Sequence, residues 1–509
     1  MITDLLEAHA RAAPRALFLQ TDQGAYTYLE IFVATRRFAY RLQQAGIKKG
    51  DHVALIADNS APYIVALLAI SWLGAVPVAL NTELVSDGLA YSLTQSDSRL
   101  IVADSRWMAQ KRAHLNAATQ SIPQILLEAE PLFFDALAPG AQANAERVTA
   151  SAPCTILYTS GTTGLPKGVI NSHGCYEAVG RDTARALDLT RDDRIMVFLP
   201  LFHTNPQMYA LMSALTVGCS LIVRPRFSAR AFFDDARKFG ATGVTFVGTV
   251  LSILVARHEG ADKNHGIRFA IGGGAPPEVW QAIHDRFGFR VHEVYGMSEI
   301  GGWVSCNTAA EYRFGSCGRR RRSMDVRIFD ELDREVPSGT QGEIVVRPLE
   351  PNVILTGYYR KPEAMVDASR NLWFHTGDRG SFDDDGYLYF HGRSKELIRR
   401  GGEMISPVEI ETKLRTMAGV ADCAAVGVPD PIMGEEIKVA VVMERPVDSL
   451  AIIRHLQPLV PPYMLPRYVE FVAEIPKTET EKIQRNKLQY LDSSVHDVAK
   501  LAHGLNTDL

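Results

Sequence analysis

The sequence predicts an α/β fold in two parts, a large N-terminal domain and a small α+β C-terminal domain. Three observations carry the prediction. Short apolar runs alternate with helical patterns through most of the first 300 of 509 residues, which is the rhythm of a mostly parallel layered sheet. From 324 to 390 the pattern turns to strands with hairpin signals. After His391-Gly392 the texture changes again, to a compact mixture of strands and helices. A chain of this length also exceeds what one core usually serves, so at least two domains are expected.

Taken in order, HVALIAD (52–58) and RLIVADS (99–105) read as buried strands. The longest apolar stretch, VALLAISWLGAVPVAL, is too short for a membrane span and is broken by Gly74 and Pro77. It reads as a buried helix near Ala66–Leu73 followed by a strand near Val76–Leu80. Residues 136–153 are small and polar and read as a surface connection. RIMVFLP (194–200), CSLIVRP (219–225), GVTFVG (243–248) and IRFAIGGG (267–274) resume the strands. FDDDGYLYFHG (382–392) reads as a hairpin, with Asp385-Gly386 suited to a primed turn. Its three aspartates read as a solvated turn rather than a metal cluster. Residues 407–416 and 449–458 read as helices, and 421–430 and 435–444 as strands. The domain boundary falls at Arg393–Lys395, giving domains 1–392 and 393–509.

Composition is ordinary for a soluble protein, 46% hydrophobic and 22% charged with net charge −4. Nothing in it points to nucleic acid. The N-terminus has acids early and no basic segment before an apolar one, so it does not read as a signal peptide. Six cysteines show no CxxC pairing, which argues against a zinc ribbon and suits reduced cytoplasmic thiols in a core. The sequence leaves oligomeric state open, a homodimer included.

TSGTTGLPKG (159–168) holds three glycines, four hydroxyls and a lysine, and follows the apolar run CTILY. Glycines let backbone N–H groups converge on an anion. Ser160, Thr162 and Thr163 add hydroxyl donors, and Lys167 adds charge. A Walker A loop does not fit: Gly161, Gly164 and Lys167 have the wrong spacing, and the loop exits into GVIN, a strand, rather than a helix. A phosphate cradle and a plain glycine-rich turn both remain open on these residues alone.

YTSGTTGLPKGV resembles the signature of the adenylate-forming superfamily, which includes acyl-CoA synthetases, peptide-synthetase adenylation domains and firefly luciferase. Further segments resemble the family's motifs in order, over nearly the whole chain. The resemblance implies that Ser160, Gly161, Thr162, Thr163, Gly164 and Lys167 close over the phosphates of ATP, with Thr159 at the loop's head in the catalytic group. LPLFHTN implies that His203 lines the carboxylate site. IGGGAP implies that Gly273, Gly274, Ala275 and Pro276 border adenine and the acyl pocket. VYGMSE implies that Tyr295 and Gly296 meet adenine, that Ser298 bonds phosphate, and that Glu299 holds Mg²⁺. WFHTGD implies that Asp378 grips the ribose, with Arg393 beside it. HGRSKELIRRGGE implies a pivot at Lys395 and a pantetheine passage at Gly401-Gly402, which favours CoA. PKTETEKIQRNKL implies that Lys482 is the catalytic lysine, with Glu481 where the family usually has glycine, and Lys477 a weaker candidate.

The activity implied is an ATP-dependent acid–CoA ligase. It makes an acyl-AMP with release of pyrophosphate and then a thioester, on a short- or medium-chain, aryl or betaine-type acid, and the chain most resembles the crotonobetaine/carnitine–CoA ligase group. Two alternatives stand beside it. An amino-acid adenylation module usually has an Asp where Phe202-His203-Thr204-Asn205 stand, and no carrier domain is read after residue 490. A non-catalytic nucleotide-binding relative would be favoured only by Glu481. Met208, Phe246, Gly248, Thr249, Gly273 and Trp303 are pocket candidates, with Gly248 and Thr249 leaving room for a bulky acyl group and Trp303 facing a ring or a quaternary ammonium. GRRRRS (318–323) reads as a solvated loop or as an anchor for the 3′-phosphate of CoA.

Overall fold

The computed structural model describes residues 1–137, 141–159, 166–393, 397–445, 447–477 and 483–505. Among these residues, four sheets organise the chain. The first runs Gly357–Tyr358, Lys167–Ser172, Pro153–Thr159, Val76–Ala79, His52–Ile56, Ser98–Asp104 and Gln124–Leu127. The second runs Arg319–Arg320, Gly302–Cys306, Arg290–Met297, Phe269–Gly273, Gly243–Val247, Arg194–Val197, Ser220–Val223, Leu17–Gln20 and Ala25–Thr27. Their central strands are parallel. Parallel strands need covered faces, and the cover is a shared helical layer. One apolar cluster takes Val53 and Leu100 from the first sheet, Val197 and Leu221 from the second, and helices from between them.

The helix Ala61–Trp72 lies in that layer with every residue buried. It starts five residues before the predicted Ala66, because Ser60 caps it by accepting the Tyr63 N–H and Pro62 suits the first turn. The strand Val76–Ala79 follows as read. The connection after 140 lies along this layer: Ala143 is buried, and its carbonyl accepts from the Trp72 indole at 3.0 Å. All six cysteines are free and buried. Among the described residues no helix is long and apolar enough to cross a membrane.

The third sheet contains Met324–Phe329, Gly342–Pro348, Trp373–Phe382, Ser369–Arg370 and Leu388–Arg393. Its last hairpin differs from the expected primed turn. Only Gly386 has positive φ (78°), whereas a type I′ turn also needs it at Asp385. The Gly386 N–H instead reaches the Asp383 carbonyl at 3.0 Å, closing a type I turn that ends in a left-handed glycine. Arg313 holds two of its aspartates, Asp383 and Asp385. Among the described residues no cluster of His, Cys, Asp or Glu could hold a metal by itself.

The fourth sheet, Glu403–Ile405, Ile398–Arg400, Gly434–Met443, Tyr468–Phe471 and Val495–Asp497, lies wholly after residue 397, with Val420–Asp430 paired to Gly434–Met443. Helices Pro407–Leu414 and Ser449–Leu456 pack on it as the sequence indicates. Gly401 and Gly402, at φ 61° and 92°, turn its first hairpin, as a two-residue I′ turn requires.

Candidate active site

Open α/β sheets bind ligands beyond the carboxyl ends of their strands. Three parallel strands of the second sheet end together: Val247 pairs with Gly273, and Gly272 with Glu293. The hairpin turned by Gly401 and Gly402 sits on this rim. A Cβ on Gly402 would come 3.0 Å from a Val247 methyl, and one on Gly274 would come 2.3 Å from Arg399 Nη2. Arg399 also donates to the Gly273 carbonyl at 3.4 Å.

Glu299 lies at the centre of a cluster of the expected residues. The strand Arg290–Met297 ends in a 3-10 turn, Ser298–Ile300, that buries its side chain. Glu299 Oε1 accepts from Thr159 Oγ1 at 3.1 Å and from the Tyr358 hydroxyl at 3.3 Å. Thr159 ends one strand of the first sheet and Lys167 begins the next, paired to each other. Lys167 Nζ lies 5.0 Å from the centre of the Tyr358 ring. The loop between them, with Ser160, Gly161, Thr162, Thr163 and Gly164, lies outside the described residues, as do Lys395, Glu481 and Lys482. Ser298 shares a hydrogen bond with Thr204, one residue after His203.

His203 itself donates from Nε2 to Glu403 Oε1 at 2.8 Å, across 200 residues of chain. Burial disfavours both charges. The pairing outweighs it, raising the His203 pKa and lowering that of Glu403. Asn205 opens a π-helical turn, Pro206–Leu211, that carries Met208 against Gly302.

Several of the other expected residues also lie together. The Tyr295 hydroxyl donates to Asp378 Oδ2 at 2.8 Å, and its ring stacks on Phe390 at 5.9 Å. Asp378 and Arg393 are register partners in the third sheet. Gly296 lies so close to the next strand that a Cβ would meet the Gly302 carbonyl at 2.0 Å. Gly274 has φ 88°, and its N–H and that of Ala275 both point to the carboxylate of Glu293. Burial pushes the Glu293 carboxyl up to about 8, against those N–H groups and the Arg399 charge. Pro276 caps the short helix Pro277–Ala282.

Several sequence readings change. Gly248 does not leave acyl space, since a Cβ there would meet the Gly274 carbonyl at 1.8 Å. Phe246 packs in the apolar cluster on the opposite face of its sheet. Trp303 is engaged: its indole donates to Thr183, and the Arg321 guanidinium lies 5.5 Å over its ring. The arginine run is only partly a solvated loop. Arg319 and Arg320 form an edge strand, Arg322 is exposed in the turn that follows, and Arg321 alone is buried, on Asp182. Lys477 pairs with Asp422 at 2.8 Å within the small domain's own fold. Glu293, Arg399, Tyr358 and Glu403 were not read from the sequence at all.

The AMP-binding enzyme family matches residues 6–359, and the AMP-binding enzyme C-terminal domain matches 409–482. The chain belongs to the AMP-binding enzyme family. It is 34% identical over 458 residues to a sulfoacetate–CoA ligase of Cupriavidus necator, covering 87% of this chain and 88% of that one. It is 29% identical over 510 residues to a crotonobetaine/carnitine–CoA ligase of Salmonella paratyphi A, covering 96% and 98%. Its structure resembles o-succinylbenzoate CoA synthetase from Bacillus subtilis at 27% identity. With the product analogue OSB-NCoA bound there, the TM-score is 0.85 over 95% of this chain and 98% of that one. With the acyl-adenylate OSB-AMP, the same protein gives 0.70 over 96% and 98%. This family member is an ATP-dependent acid–CoA ligase that works through an acyl-AMP.

Proposed function

We propose that this ligase activates a short carboxylic acid, and that Glu299, Thr159, Lys167, His203 and Lys482 divide the work of its two steps. The support is the convergence of Thr159 and Tyr358 on Glu299 from two separate strands, with Lys167 over the Tyr358 ring at the end of the glycine-rich loop. A carboxylate is a poor electrophile. Attack of its oxygen on the α-phosphorus of ATP forms the acyl-AMP and breaks the bond to pyrophosphate. All partners are anionic, so the site must supply positive charge where it develops. Lys482, Lys167 and the N–H and hydroxyl groups of 160–164 would hold the phosphates, and Ser298 would donate to one. Glu299 fits Mg²⁺, a hard cation often held by one or two carboxylates and substrate phosphates, and its carboxylate is already oriented by two hydroxyls. Bound there, Mg²⁺ would neutralise phosphate charge. Tyr295, Asp378 and Arg393 would hold adenosine, with the 273–276 turn along the base.

CoA then attacks the acyl carbon and AMP leaves. Gly401 and Gly402 would border the pantetheine, as the motif implies; on their other side they pack close to Met433 and Val247. Residues 393–509 would turn as a unit about Lys395, bringing Lys482 to the phosphates for the first step and removing it for the second. The higher TM-score to the OSB-NCoA complex than to the acyl-adenylate complex, at nearly equal identity and coverage, supports the thioester-forming arrangement for this structure. Buried free thiols suit a cytoplasmic enzyme.

Pyrophosphate release from ATP and Mg²⁺, with and without CoA, across a panel of short, dianionic, aryl and betaine acids tests the reading. CoA-dependent turnover with one class is expected. ATP binding without turnover of any acid would replace the ligase by a non-catalytic relative. Lys482→Ala should abolish adenylation yet keep thioester formation from supplied acyl-AMP; an equal loss in both steps would sink the rotation.

A further inference from the structure

Arg321 is a buried cation to which the chemistry above gives no task. It is 3% exposed. Its Nε donates to Asp182 Oδ2 at 2.6 Å, and its Nη1 lies 3.3 and 3.4 Å from the carbonyls of Gly301 and Trp303. Its Nη2 is buried with no hydrogen-bond partner among the described residues. A buried donor left unmet costs its desolvation, so such a group calls for a reason.

The local charge does not cancel. Asp182 is shared with Arg181 at 3.2 Å and Arg185 at 3.6 Å, and Arg181 has a further partner in Glu350 at 3.4 Å. Three guanidinium groups thus face two carboxylates. The two other arginines are half exposed and screened, while Arg321 is not.

Its place in the fold is specific. Gly301 and Gly302, both at positive φ, follow Glu299 and Ile300 directly. A Cβ on Gly302 would come 3.1 Å from Tyr209 Cε1 and 3.2 Å from Met208 Sδ, the side chains of the π-helical turn that follows His203. Trp303 comes next, with its ring under Arg321. The run 299–303 therefore has the Glu299 carboxylate at one end and the Arg321 guanidinium over its other end. Four residues span at most about 14 Å.

We propose that Arg321 receives a second anionic group, a carboxylate or sulfonate, at the far end of a short acid whose reacting carboxylate sits by Glu299 and His203. The inference rests on the ligase reading and narrows its substrate to dianionic short acids. Such an acid completes the Nη2 hydrogen bond with a charge-assisted one. An acid with no second charge leaves the donor unmet, and a site built for a polar group rejects the analogue that lacks it.

Steady-state kinetics of the full chain with ATP, Mg²⁺ and CoA would compare sulfoacetate and malonate with acetate and propionate. The dianionic pair should be favoured in kcat/KM. Arg321→Met should cut that preference by roughly 10- to 100-fold, mainly through KM, and Arg321→Lys should restore part of it. A wild type that prefers the monoanionic acids overturns the inference while leaving the ligase intact, and so does a variant that loses both classes equally. Where Arg321→Met does not fold, calorimetric titration of the wild type with sulfoacetate against propionate decides the matter, and equal or weaker binding of sulfoacetate counts against the inference. Turnover of no acid, despite ATP binding, removes the ligase reading itself.

Discussion

Glu299 accepts hydrogen bonds from two hydroxyls on different strands, so its carboxylate is held in one orientation before any substrate arrives. Preorganised charge of this kind usually carries the largest share of a rate enhancement. Glu299→Gln should therefore lower adenylation kcat by about 10²–10³-fold. The circular dichroism spectrum should not change. Retained activity would remove Glu299 from the chemistry. Glu293 makes a different test. Its carboxyl is raised from 4.5 to about 8 by burial, so folding favours its protonated form. The sign follows: stability from this group is full below pH 4.5 and is lost as pH rises through about 8. Glu293→Gln cannot ionise, so the melting temperature of the variant should fall less between pH 7 and 9 than that of the wild type. Parallel profiles would show that Glu293 is charged already. Of these two glutamates only Glu299 was legible in the sequence, because it sits inside a motif. Glu293 looks like any strand residue until the fold brings Gly274 and Ala275, 18 or 19 residues away, onto its oxygens.

The strands and helices were largely legible because their apolar periodicity is strong and local. The strand Gly243–Val247 and its parallel neighbour Phe269–Gly273 lie within the runs that announce them. What the periodicity could not reveal is how closely elements approach. Gly248 begins the helix Gly248–Arg257 and meets the Gly274 carbonyl so closely that even one methyl must displace it. A small residue reads as open space in a sequence, yet here it permits contact. Gly248→Ala should shift the 274–276 turn, cost about 1–3 kcal/mol by overpacking, and raise KM for ATP. Unchanged melting and unchanged KM would mean that the turn yields freely. The hairpin at Asp385-Gly386 carries the same lesson for turns. The dipeptide permits a primed turn, but Arg313, from 70 residues away, binds Asp383 and Asp385 in the turn that forms instead.

His203 and Glu403 join the two parts of the chain, and their pairing could not be read from either residue alone. The motif marked His203 for a site, while Glu403 looked like one more charge after a glycine turn. Only docking of the 398–405 hairpin onto the strand ends brings them to 2.8 Å. Because pairing raises the His203 pKa from 6.5, the docked arrangement favours the protonated imidazole. Its contribution is full below pH 6.5 and fades as pH rises through the raised value. Glu403 is lowered from 4.5, so its share is present above pH 4.5 and is lost as pH falls through the lowered value. Docking should therefore be strongest between these limits and weaken toward alkaline pH. Lys413 to Asp87, at 2.6 Å, adds a surface contact between the same two parts, but an exposed pair contributes little. Dyes on Leu132→Cys and Ile432→Cys, both exposed positions, can follow the arrangement, since the native thiols are buried. Energy transfer should change as pH rises from 6 to 9, and Glu403→Gln should flatten that change. A pH response that survives Glu403→Gln would mean that some other group sets the docking equilibrium, and that the alternation between the two steps is not biased by this pair.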